Sequence, residues 1–125
     1  MIYSISRIAV AFIWFYHGLV PKILFQSPIE LELLSKGPIE FTNPELVTSI
    51  IGYLEIAFAL SMLLLWAKRW PMMVSALGMV ILLLGTLFYW PSLLMEAFNP
   101  LTINLAVISL SIINLVSMKV DSDLD

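Results

Sequence analysis

Polarity along this chain changes in blocks the length of whole helices, not residue by residue. Residues 2–21, 46–67, 72–90 and 100–118 are almost continuously apolar, with short polar segments between them. At about 1.5 Å of rise per helical residue, each block can cross the roughly 30 Å of a bilayer's hydrocarbon. The last two blocks carry no formal charge, and 72–90 lacks the polar stripe that a soluble amphipathic helix needs. The pattern predicts an all-α protein: an integral membrane four-helix bundle in up-down topology, forming one domain over residues 1–125.

The polar segments carry start and stop signals. In the outer loop, residues 22–45, Ser27-Pro28-Ile29-Glu30 reads as a capping box with proline at the first helical position. A helix of about two turns should follow and end at Gly37-Pro38. Its Ile29, Leu31, Leu33 and Leu34 suit a short interfacial helix lying on the membrane or over the bundle mouth. Asn43-Pro44 and Asn99-Pro100 repeat one device, an Asn cap with proline just inside, at the starts of the second and fourth spans.

Composition agrees with a membrane chain, being 61% hydrophobic and only 12% charged. The net charge of -3 owes much to Asp121, Asp123 and Asp125 in an acidic tail over 119–125, and the few basic residues exclude nucleic-acid binding. Those basic residues set an orientation instead. Lys68 and Arg69 sit together between spans two and three, Arg7 and Lys119 flank the first and last spans, and only Lys22 and Lys36 fall on the other side. Both termini are therefore expected in the cytoplasm (N-in, C-in), in a multi-pass protein of a bacterial cytoplasmic membrane. The first block has bulky aromatics and ends in Pro-Lys, unlike a cleaved signal peptide, so it should stay as a span. Cysteine is absent, which removes disulfides, thiolate metal sites and dithiol chemistry.

Polar groups inside the spans are the candidate chemistry, because each must offset its cost with a partner, a cavity or a job. His17 lies in the outer half of span one with Lys22 at its outer edge. Pro21 in a continuing helix frees the carbonyl of His17, and Gly18 permits close approach. One reading of these residues is a kinked helix end with a snorkelling lysine; the other is a site. Glu55 sits about 14 Å inside span two. It shares a helical stripe with Thr48, Gly52, Ala59 and Met62, so it should point inward and lie within about 6 Å of His17 or Lys22. An ion pair and a ligand or proton site both fit it. On span four, Asn104, Val107, Ser111, Asn114 and Met118 form one stripe; Ser111 and Asn114 read as helix glue, while Asn104, at the depth of His17, fits glue and a site role equally. Ser75, Gly78 and Gly85 of span three read as packing. With one histidine and no thiol, no metal site is expected.

Three segments taken together, Trp14-Phe15-Tyr16-His17-Gly18-Leu19-Val20-Pro21-Lys22, Gly52-Tyr53-Leu54-Glu55 and Phe98-Asn99-Pro100-Leu101-Thr102-Ile103-Asn104, resemble the DoxX-like family of small four-span membrane proteins. The likeness covers about residues 5 to 118. It implies a four-helix integral membrane protein and marks His17, Gly18, Pro21, Lys22, Gly52, Glu55, Asn99, Pro100 and Asn104 as signature positions. Better-known relatives include a membrane subunit of a thiosulfate:quinone oxidoreductase and partners of oxidative-stress enzymes. More distant ones resemble cargo receptors or assembly chaperones.

Two functions follow as expectations. The first is a binding or assembly subunit of a membrane complex, in which the polar residues lock the fold or recognise a partner protein or a second copy. The second is a quinone-linked redox component with a pocket of His17, Lys22, Glu55 and Asn104; quinone would be borrowed, since the chain has no intrinsic cofactor. Membrane lipid is a partner in either case, and another small hydrophobic ligand fits the same residues. A permease is disfavoured by the lack of an internal repeat.

Overall fold

A computed structural model describes residues 1–37, 39 and 41–122, the side chains of 119–122 excepted. Helix α1 (Ile2–Gly18) continues as a π-helical segment, Leu19–Leu24; then follow α2 (Pro28–Ser35), α3 (Pro44–Leu64), α4 (Trp70–Tyr89), a 3₁₀ turn (Pro91–Met95) and α5 (Pro100–Ser122). Among the described residues all regular structure is helical, with no strand. Ile2–Leu24, Pro44–Leu64, Trp70–Tyr89 and Pro100–Met118 are long and apolar enough to cross a membrane. Only 17 to 28% of each is buried within the chain, so most of each span needs an apolar solvent.

Of the three side-chain caps expected from the sequence, two form. Asn43 Oδ1 accepts the Leu46 N–H at 3.1 Å, and Asn99 Oδ1 accepts that of Thr102 at 3.1 Å. The expected capping box at α2 does not form: Ser27 makes no side-chain cap, and Glu30 turns to Lys22 instead. Helix α2 still begins at Pro28, whose ring pre-sets the helical φ, and ends at Ser35. Pro38 of the expected stop lies outside the described residues. The 119–125 tail is helical to Ser122, and 123–125 lie outside the described residues.

Pro21 does not end the first span. The chain widens into a π turn, in which the Phe25 N–H reaches back five residues to Val20 O at 3.1 Å. Widening by one residue lets the helix pass a position with no N–H to donate. The span thus runs to Leu24 rather than stopping at residue 21, and Lys22 falls inside it.

The chain forms two compact units, residues 11–61 and residues 1–10 with 62–125. Within 11–61, the end of α1 runs antiparallel to α3: the rings of Trp14 and Phe58 meet edge-on at 5.1 Å, and Gly18 lies against Gly52. Thr48, Gly52 and Ala59 of the expected α3 stripe are buried. In the other unit α4 and α5 are antiparallel, with Ser111 donating to Ser75 across them at 3.3 Å. Asn114 donates to Tyr3 O at 2.8 Å and to Ser6 Oγ at 3.1 Å, which is the glue expected of it. Gly78 and Gly85 differ from expectation. A Cβ at either would meet nothing within 4 Å among the described residues, so neither makes a close glycine contact there.

Candidate functional site

The chemistry gathers on residues 17–55. Because the π turn carries the helix past Pro21, Lys22 points inward, and its side chain is only 7% exposed. Its Nζ lies 2.9 Å from Glu30 Oε1 of α2 and 3.4 Å from Glu55 Oε1 of α3. Lys22 is therefore not a snorkelling residue at the span's edge. One ammonium holds two carboxyls, and three separate segments of the fold meet at it.

Glycine makes room for this arrangement. A Cβ on Gly52 would stand 2.9 Å from Lys22 Cβ and 2.9 Å from Ile23 Cγ1. Only a residue without a side chain lets the lysine stem pass there on its way to Glu55, one turn further along α3. Gln26 closes the neighbouring turn. It takes a left-handed φ of 43°, and its amide donates to Ser49 Oγ at 3.1 Å.

Two acceptors in this region lack partners among the described residues. Glu55 Oε2 and Thr48 Oγ1 are both buried and unbonded. A buried oxygen left without a donor costs about 1–3 kcal/mol, and more when charged. His17 is half-buried, and both Lys22 and Glu30 act on it electrostatically. The cluster can thus hold charge in a low dielectric, and it has acceptor capacity to spare.

Asn104 belongs to the other unit, where it is buried on α5. Sequence reasoning missed Glu30 as a member of the cluster because the capping box explained it locally. Thr48 was placed on the right stripe but not singled out. Arg7 was counted only as an inner-end charge; it is fully buried and donates from Nε to Met62 O at 2.7 Å. An arginine within an apolar run was the available signal. Among the described residues, no group of three His, Cys, Asp or Glu could hold a metal.

The model of the family described as DoxX-like matches residues 11–112, most of the chain. No curated protein and no solved structure matches it.

Proposed function

The chain belongs to the DoxX-like family, and from that premise we propose that it serves as a binding or assembly subunit of a membrane complex. The observation that carries this reading is the double bridge of Lys22 to Glu30 and Glu55. It ties α2 to the end of the first span and to α3, so the segment between the first two spans presents one fixed surface. A recognition surface benefits from such preorganisation, because ordering entropy is spent before the partner arrives. His17, Lys22 and Glu55 set that surface.

A quinone-linked redox role is the second reading, favoured by Glu55 Oε2. A buried acceptor without a donor suits a ligand hydroxyl such as that of a quinol, while Lys22 and His17 supply donors for a carbonyl oxygen. Electron transfer would then need a partner carrying the redox centre.

Glu55→Gln and His17→Ala separate the two. Under the assembly reading, Glu55→Gln lowers the thermal midpoint in detergent and a short-chain benzoquinone neither binds nor stabilises the protein. Under the quinone reading, both variants keep a folded bundle and lose a benzoquinone titration that wild type shows. An unchanged melt with no titration in wild type defeats both.

The protein is read as a bacterial cytoplasmic-membrane protein with both termini inside, on the strength of Lys68 and Arg69. Single cysteines at Ser35 and Ser122 test this with an impermeant thiol reagent on intact cells. Ser35 should label from outside and Ser122 should not; the opposite pattern inverts the topology.

A further inference from the structure

The loop of residues 65–69 joins two helices that are each long and apolar enough to cross a bilayer, which puts the loop at a bilayer surface. Beside it, Tyr3, Trp66, Ala67 and Met118 line an open groove of about 220 Å³. Two of its walls are aromatic rings, the side chains that prefer the level of lipid headgroups. The rings meet edge-on at 5.5 Å, and the Tyr3 hydroxyl donates to Trp66 O, so the walls are held.

Among the described side chains, the charges beside this groove are basic. The Arg7 guanidinium lies 5.7 Å from the Tyr3 ring and 5.8 Å from the Trp66 ring. Its hydrogen bonds go to carbonyl oxygens and to Asn114 Oδ1, and no carboxylate among the described residues neutralises it. Lys68 and Arg69 are exposed on the loop and make no ion pair among the described residues. An apolar slot therefore opens beside cations, at the depth where phosphates of the surrounding lipid lie.

We propose that the groove is a binding site for an anionic phospholipid. One acyl chain lies against Tyr3, Trp66 and Met118, and the phosphodiester headgroup is held by Lys68 and Arg69. Each basic residue near such a surface adds about fivefold to the attraction, so the pair gives a clear preference over a zwitterionic lipid.

The test is native mass spectrometry of the full chain, released from detergent carrying equal amounts of phosphatidylglycerol and phosphatidylcholine with matched chains. Phosphatidylglycerol should be retained at least about fivefold over phosphatidylcholine. Lys68→Gln with Arg69→Gln, both on an exposed loop, should erase that preference. Ala67→Trp fills the groove from an exposed position and should cut retention of both lipids. Millimolar inorganic phosphate should not displace the adduct, whose mass identifies it as lipid. Equal retention of the two lipids, or a preference that survives the double Gln variant, overturns the proposal. So does a preference that appears only after Asp121, Asp123 and Asp125 are all changed to Asn, for then the chain's own tail is the counter-charge.

Discussion

Gly18 and Gly52 meet backbone to backbone: a Cβ on Gly18 would stand 2.5 Å from the carbonyl oxygen of Gly52, and one on Gly52 would stand 2.7 Å from that of Gly18. Backbone cannot step aside as a flexible side chain can. Gly18→Ala and Gly52→Ala should therefore each lower stability by about 1–3 kcal/mol, the usual cost of overpacking. Gly78→Ala and Gly85→Ala provide the control, since no described residue comes within 4 Å of a Cβ there and alanine favours the helix by about 0.5–1 kcal/mol. Thermal unfolding in one detergent compares the four. Equal melts across the set would mean that the close approach does not exist.

The bridge at Lys22 predicts an order of effects. Lys22→Met leaves two carboxyls facing each other without their cation, and breaking a buried pair costs about 3–5 kcal/mol. Glu30→Gln should cost least, because Glu30 is the more open carboxyl, at 26% against 14% exposure, and Lys22 keeps Glu55. Glu55→Gln should fall between. A melt series in which Glu30→Gln is the worst of the three would show that Glu30, not Glu55, is the main partner.

These contacts also show what a sequence of this kind exposes and what it hides. The four spans were legible because a bilayer imposes length and apolarity together, and the Asn-Pro starts because capping is local. The approach of Glu55 to Lys22 was legible from cost alone, since a carboxylate that deep requires a partner. The burial of Lys22 was not, because it depends on how the helix passes Pro21. A kink would have left the lysine at the edge, and the π turn takes it in. Glu30 was hidden by a plausible local role. Gly78 and Gly85 share a spacing with packing glycines, and only the third dimension shows that no described residue comes within 4 Å of a Cβ there.

Helix capping gives a test that separates local signals from tertiary ones. Asn43→Ala and Asn99→Ala each remove a carboxamide that accepts a first-turn N–H at 3.1 Å, and should cost about 0.5–2 kcal/mol. Ser27→Ala should cost nothing measurable, because Ser27 makes no cap despite standing where a capping box belongs. Circular dichroism melts of the three variants decide it. A Ser27→Ala loss as large as that of Asn99→Ala would restore the capping box.

Arg7 closes the end of α3 from inside the protein. Its Nε donates to Met62 O at 2.7 Å, and one terminal nitrogen donates to Leu65 O at 2.7 Å and Lys68 O at 3.1 Å, while the other reaches Asn114 Oδ1 at 3.4 Å. A helix leaves its last carbonyls without partners, and a cation there also meets the negative end of the dipole. Only a planar fork with several fixed donors can serve oxygens in these different directions, so Arg7→Lys keeps the charge and still loses bonds. It should cost about 1–3 kcal/mol for a buried acceptor left open, and Arg7→Met should cost more. Asn114 completes the argument, because it receives Arg7 and donates to Tyr3 O and Ser6 Oγ. Asn114→Ala should therefore hurt less in the Arg7→Met background than in wild type, with a coupling of about 0.5–3 kcal/mol in a double-mutant cycle. Additivity within about 0.5 kcal/mol would show that the two residues act separately and that the network does not cap α3 as a unit.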